Sequence, residues 1–484
     1  MRTLKDQLFN VAVNQIISNK TLRGIAAKHL DKQIYKTMLN DSLLTYHEER
    51  LDRYYFVSNL MNQVRKNLDR GYINKTVVKK MMKVFVGDSW KPNRLDNLND
   101  AKIAFKEKYG EYPPKFLVVS PDKSCNLNCT GCYASCVPGK GSKLDYETTR
   151  RIIKEAHDIF GSRFVTISGG EPFIYRSEGK TIFDIFEEFN DMFFLVYTNG
   201  TLLNKKAAAL LAELGNVTPG ISIEGFEFET DERRGKGVHK KVRQAMENLR
   251  EVGVPFGVSV TATSKNHQTL LTDEFYKYYF ETLGATYMWQ FQLMPIGRGK
   301  DMMELMVNPK QRVELFKKWE VVSRELGYPF ADFWNCGTLS SGCIAYGRFS
   351  GYFYVDFDGK VMPCVFVPYY TEKIQDIYKR GGTIADALQS KLFKNGRKWQ
   401  KDYGFGKDKK GNVIMACSIR DHYKNFKENI LTKDSIGADE EAKIAIKDPA
   451  YEKIMIAYDE ELQKLTDVIV DEKYLSDLIV EHDS

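Results

Sequence analysis

Cysteine is scarce in this chain, and long apolar runs are missing. Eight cysteines among 484 residues are too few for a disulfide scaffold. No uninterrupted apolar stretch approaches the ~18 to 20 residues needed to cross a bilayer. The N-terminal run MRTLKDQLFNVAVNQIISNK has Asp6, Asn10 and Asn14 inside its apolar stretch, which is not the core of a secretory signal. A cytoplasmic chain with reduced thiols is therefore expected, and clustered thiols there more often bind metal. There is no solenoid repeat, no low-complexity tract and no recognisable nucleic-acid-binding module, so no nucleic-acid partner is expected. Each end also lacks a balance of charge. Residues 1–96 carry 18 Lys and Arg against 9 Asp and Glu, whereas residues 438–484 carry 5 against 14. These are either solvated faces that dock on each other, or the basic end meets an anionic partner, a lipid surface or an acidic peptide. In the lipid case the protein is peripheral at the membrane through its N-terminal helices.

What is present is ordinary globular composition, 43% hydrophobic and 28% charged, at a length that suggests two to four units of ~150 residues. Residues 4–83 show helical periodicity, as in Leu8, Ala12, Ile16 and Leu30, Ile34, Met38. From Phe116 short β-branched runs alternate with amphipathic stretches: FLVVS, FVTIS, FFLVYTN, GISIE, FGVSVTA and MWQFQLM. Six strands each followed by a helix predict parallel β-α units whose C-terminal ends share one face, where chemistry sits. Later, GYFYVDFDGKVMPC predicts a hairpin turning at Asp358-Gly359. The expected units are a helical segment 1–100, a β/α unit 112–308, a cysteine-bearing unit 309–436 and an acidic helical tail 437–484.

Four of the eight cysteines lie within CNLNCTGCYASC, residues 125–136. Cys125, Cys129 and Cys132 have C-x3-C-x2-C spacing directly after the first strand. Three thiolates on one short loop can hold three corners of a [4Fe-4S] cubane and leave one iron open. Zinc is an alternative, although it usually takes two separated ligand pairs. A ferredoxin run is another, although it starts C-x2-C and here Cys125 stands four positions before Cys129. The second strand ends in SGGEP, where Gly169 and Gly170 let backbone approach a ligand closely.

C-x3-C-x2-C followed one β-α unit later by GGEP resembles the radical S-adenosylmethionine (radical SAM) superfamily, over roughly residues 112–300. The resemblance implies an α/β partial (β/α)6 TIM-like barrel and S-adenosylmethionine chelating the open iron. It also implies reductive cleavage to a 5'-deoxyadenosyl radical that takes hydrogen from an unactivated C–H bond. It gives Cys136 no ligand role and names no acid or base. By the same resemblance Gly169, Gly170, Glu171 and Pro172 would bind the cofactor, as would Thr198 and Asn199 in YTNGT. Ser222 and Glu224 would line its ribose, Arg234 would pair with its carboxylate, and Leu293, Met294 and Pro295 would wall its adenine. The residue before the last loop cysteine is usually aromatic but here is Gly131, and Tyr133 would substitute. Cys343 and Cys364 around the hairpin, with Cys417 and Cys336, resemble the SPASM/Twitch extension. Four thiolates there would saturate one auxiliary [4Fe-4S] cluster; without Cys336 one iron would stay open for substrate. The family implies an oxidoreductase or transferase fed by flavodoxin or ferredoxin. Its substrate would be a peptide side chain or, as the alternative, a lipid or acyl chain. A non-catalytic electron carrier would explain the cysteines but not GGEP, TNG and SIEG.

Overall fold

The computed structural model describes residues 15–40, 46–87, 99–139, 141–406 and 409–475. Leu8, Ala12 and the last residues of the acidic tail lie outside these. Each of the six β-branched runs supplies one strand: β1 (Leu117–Val119), β2 (Phe164–Ile167), β3 (Phe193–Thr198), β4 (Val217–Ile223), β5 (Gly257–Ala262) and β6 (Met288–Gln292). They lie side by side and parallel in chain order, as right-handed β-α crossovers require. The sheet is not flat. Three strand spacings of about 4.8 Å separate β3 from β6 in a flat sheet, about 14 Å, yet the rings of Tyr197 and Phe291 meet at 5.6 Å. The inner face must therefore curl into a partial barrel, with a mixed α/β architecture.

Three further strands extend this sheet, one at the β6 edge and two at the β1 edge. β7 (Phe330–Asp332) runs parallel to β6, β8 (Tyr354–Val355) runs parallel to β1, and β9 (Val361–Met362) returns antiparallel to β8. The order is β9-β8-β1-β2-β3-β4-β5-β6-β7. The division expected at residue 308 thus falls inside one sheet. The hairpin turns where the sequence predicts: Asp356 Oδ1 accepts the amides of Asp358 and Lys360 at 2.9 Å, and Gly359 takes a φ of 77°, a value costly for any residue with a Cβ.

Amphipathic helices cover the outer face. The helix at Tyr146–Phe160 is capped by Asp145, whose side chain accepts from the Thr148 amide, and it buries Ile152, Ile153, Ala156 and Phe160 completely. The N-terminal helices behave differently from one another. α1 (Lys20–Leu39) has no buried residue and exposes Leu22, Ile25, Leu30 and Tyr35. α2 (His47–Asp69) is docked through polar groups. Its buried residues include Asn59, Gln63 and Asn67, four apart and so on one face. Asn59 donates to the carbonyl of Ser323 at 2.7 Å, Gln63 to those of Phe280 and Ala285 at 3.0 Å, and Asn67 to that of Gly284 at 2.8 Å. This ladder satisfies carbonyls in the turns that lead into β6 and β7, which would otherwise be buried without donors. No helix among the described residues is long and apolar enough to cross a membrane.

Replacing Gln63 by Leu keeps the volume and removes both donors. Two buried carbonyls left unpaired cost about 2–4 kcal/mol. Urea unfolding should show that loss, and an unchanged midpoint would show that α2 only rests on the barrel.

Candidate active site at the carboxyl ends of the strands

The loop after β1 is tied to the end of β2 by backbone pairing. The Gly170 amide donates to the Asp122 carbonyl and the Glu171 amide to the Ser124 carbonyl, both at 2.9 Å. A Cβ at Gly170 would lie 2.0 Å from the Ser124 oxygen, and one at Gly169, whose φ is 123°, would lie 2.7 Å from that of Asp122. Only glycine permits this approach. Glu171 then grips the end of β3. It is fully buried and accepts from Thr198 Oγ1 at 2.7 Å, the Asn199 amide at 2.8 Å and the Phe173 amide at 3.2 Å. Burial pushes its carboxyl up to about 7, and the three donors with Arg234 hold it back. Pro172 opens the short turn Pro172–Ile174 that follows. SGGEP, TNG and the cysteine loop are one hydrogen-bonded unit, since Asn199 Nδ2 also reaches Asn126 Oδ1 at 2.8 Å and Cys125 Sγ at 3.8 Å.

The loop thiols differ in environment. Burial pushes Cys125 up to about 11, with the charges of Glu171, Cys129 and Cys132 adding to it. Cys132 is lowered to about 5 by a hydrogen bond from Cys136, against burial, with backbone amides and the Arg298 guanidinium assisting. Cys136 is itself buried, with its Sγ 3.6 Å from the Ala134 carbonyl. Arg298 is a residue that the sequence reading missed. Its amide donates to the Cys132 carbonyl at 3.2 Å and its Nη2 to the Cys129 carbonyl at 3.0 Å. The signal was its place four residues past the end of the sixth strand's run, among the loops that gather at that face. Gly131 explains itself: at φ 65° a Cβ there would stand 3.1 Å from Leu293 Cδ1. Tyr133 points elsewhere, its hydroxyl 3.0 Å from Ser168 Oγ.

Glu224 and Arg234 come together. The buried Glu224 Oε1 takes Arg233 Nη1 at 2.5 Å and Arg234 Nε at 2.7 Å, while Oε2 is buried without a hydrogen-bond partner. Burial alone would lower Arg234, but Glu224 and the neighbouring Cys129 and Cys132 outweigh it. Ser222 Oγ lies 3.3 Å from Ser259 Oγ. Leu293 and Met294 are buried, and this strand end is held from outside by Arg420 Nη1 on the Leu293 carbonyl at 2.9 Å and Tyr451 Oη on the Pro295 carbonyl at 3.1 Å.

Of the second cysteine set, three thiols share one environment. Burial raises Cys343, Cys364 (to about 12) and Cys417, and Cys343 adds its charge to both of the others. Tyr346 feels all three. Cys336 is placed apart from them: its Sγ accepts the Asp332 amide at 3.2 Å, and its charged neighbours are Asp332 and Asp52. Among the described residues no three His, Cys, Asp or Glu side chains converge as they would around one metal ion; a cubane, whose thiolates stand on its outer corners, spreads its ligands more widely. The two cysteine regions meet through aromatic rings. Tyr133, next to Cys132, and Phe366, whose amide donates to Cys364 Sγ at 3.4 Å, have centroids 5.6 Å apart.

Residues 119–271 match the sequence profile of the Radical SAM superfamily. An AdoMet-dependent heme synthase of Methanosarcina barkeri is 26% identical over 291 residues, 54% of this chain and 80% of that protein. A cysteine-type anaerobic sulfatase-maturating enzyme of Clostridium perfringens is 25% identical over 320 residues, 59% of this chain and 81% of that one. The chain spans 58%, 80% and 36% of the length of three curated relatives that it matches. Among solved structures, Streptococcus suis SuiB bound to precursor peptide SuiA shares the fold, with a TM-score of 0.52 and 16% identity over 73% of this chain and 82% of that chain. The likeness to the radical SAM superfamily is thus carried by residues 119–271, with a sheet of the same fold as SuiB.

Proposed function

We propose that this chain is a radical SAM enzyme that modifies a peptide or protein side chain. Cys125, Cys129 and Cys132 would hold the [4Fe-4S] cluster that binds S-adenosylmethionine, and Cys343, Cys364 and Cys417 an auxiliary [4Fe-4S] cluster. Together, cluster and cofactor supply one-electron cleavage of a sulfonium and so the removal of hydrogen from an unactivated C–H bond. The observation that carries the reading is the pair of thiol groups on either side of the Tyr133–Phe366 contact.

The residues fit these groups. Gly169 and Gly170 keep the β2 end open to close backbone approach, and Glu171 fixes Thr198 and Asn199 beside Cys125. The unpartnered Glu224 Oε2 is an acceptor that a ribose hydroxyl would satisfy. Ser222 lies beside it, and Arg234 carries positive charge to the side of Cys129 and Cys132. Leu293, Met294 and Pro295 offer an apolar wall, and Tyr133 is turned from it toward Ser168. Three thiolates on the auxiliary cluster leave one corner without a cysteine, since Cys336 lies beside Asp332. Residues 112–308 would carry the cofactor chemistry and residues 309–436 the auxiliary cluster, with flavodoxin or ferredoxin as reductant.

A side-chain substrate is supported by the sulfatase-maturating relative, of which the chain spans four fifths. A second reading, an acyl chain met at an anionic membrane surface, rests on α1, whose exposed Leu22 and Ile25 lie among Lys28, Lys32 and Lys36 with no acidic residue on that face. Sedimentation with anionic liposomes at low salt and release at high salt would favour it; no sedimentation at low salt would remove it.

The anaerobically reconstituted protein should hold about eight irons, two cubanes of four, and Cys343→Ala should lower this to about four. Iron near four in the unsubstituted protein, unchanged by the substitution, would remove the auxiliary cluster. In the loop, Cys136→Ala should keep the reduced-cluster electron paramagnetic resonance signal that Cys129→Ala loses. Loss of the signal in the Cys136 variant would make that thiol a ligand.

A further inference from the structure

Strand alternation sends every second side chain into the barrel. Near the C-terminal ends these are Tyr197 on β3, Ser222 on β4, Ser259 and Thr261 on β5, Phe291 on β6 and Phe333 just after β7. None carries a charge. The floor beneath them is closed, because the Tyr197 ring lies over Gly220, where a Cβ would stand 3.1 Å away, and the Tyr287 ring covers Gly257. One wall is a chain of rings: Tyr197 to Phe291 at 5.6 Å, Phe291 to Phe333 at 5.4 Å, Phe333 to Phe366 at 5.6 Å and Phe366 to Tyr133 at 5.6 Å. The opposite wall, Ser222, Ser259 and Thr261, is small and leaves room. Tyr133, Tyr197, Phe291 and Phe333 keep part of their surface open. The nearest charges are already engaged, Glu171 by Thr198 and Asn199, and Glu224 by Arg233 and Arg234.

We propose that this mouth is the specificity pocket and that it receives an aromatic side chain of the peptide substrate. The inference rests on the radical SAM reading above, since the pocket lies between the two thiol groups which that reading loads. An Asp or Glu side chain entering it would lose its water and find no free cation, and a Lys or Arg would have only Glu224, whose Oε1 already takes two guanidinium groups. A branched aliphatic side chain fits by apolarity but forgoes edge-to-face contact with the four partly open rings. A tetrapyrrole with carboxylate arms would find both nearby arginines already paired with Glu224.

The reconstituted holoprotein with S-adenosylmethionine can be titrated with N-acetyl amides of Phe, Tyr, Leu, Asp and Lys, and with coproporphyrin III, by saturation-transfer nuclear magnetic resonance. The Phe and Tyr amides should bind at least tenfold more tightly than those of Asp and Lys, and about two- to tenfold more tightly than that of Leu. Phe333→Leu should abolish the preference over Leu; if that variant does not fold, the ligand series on the unsubstituted protein decides alone. Equal binding of the Phe and Asp amides, binding of no amide at millimolar concentration, or tighter binding of the porphyrin would overturn the pocket. Formation of 5'-deoxyadenosine in the same samples separates the two ideas. Cofactor cleavage without an aromatic preference sinks the pocket alone, whereas the preference without cleavage leaves the pocket standing and sinks the reaction.

Discussion

Two backbone pairs hold the candidate active site together: Val118 with Tyr354 and Val119 with Val355. Through them the amides of Val118 and Ser120 donate to the carbonyls of Phe353 and Val355 at 2.9 Å, and Tyr354 Oη fixes the register on Ser120 Oγ at 2.8 Å. β1 runs straight into the Cys125 loop, and the hairpin that begins with β8 is flanked by Cys343 and Cys364. A short parallel ladder therefore sets one thiol group against the other. A slip of one residue would turn Tyr354 to the opposite face and undo its bond to Ser120.

The opposite side of the site is braced from the C-terminal region. Arg420 and Asp421 follow Cys417 in one turn. Asp421 accepts the Cys417 amide at 2.9 Å and pairs with the fully buried Arg312, while Arg420 holds the Leu293 carbonyl. Removing one member of a buried pair such as Arg312–Asp421 leaves an uncompensated charge, typically costing about 3–5 kcal/mol. The same turn thus orders a thiol of the second group and the strand end that touches Gly131 of the first.

The six barrel strands and the hairpin were legible because β-branched runs and the Asp-Gly turn are local signals. β7 was not: Phe330–Asp332 is three residues long and ends on an acid whose burial is compensated by Gln290 and Gln292 of β6 and by Asn335 in the turn that follows. The joining of the hairpin to β1 is likewise non-local, so a boundary at residue 308 looked natural in sequence. α2 misleads in another way, since its buried face is built of Asn and Gln, which periodicity of apolar residues cannot reveal. Among site residues, the loop cysteines stand out by their spacing, and GGEP and TNG by their resemblance to radical SAM motifs. Arg298 was not, because it acts through backbone carbonyls, and the position of Cys336 beside Asp332 depends on the fold of β7.

The central claim is that the first thiol group and the strand ends around it form a site for reductive cleavage of S-adenosylmethionine. The direct measurement is product analysis of the reconstituted, dithionite-reduced protein mixed with S-adenosylmethionine under anaerobic conditions. The account predicts methionine and 5'-deoxyadenosine in equal amounts, dependent on reductant and lost in a Cys125, Cys129, Cys132 triple alanine variant. Neither product from a protein whose iron content shows a loaded cluster would contradict it.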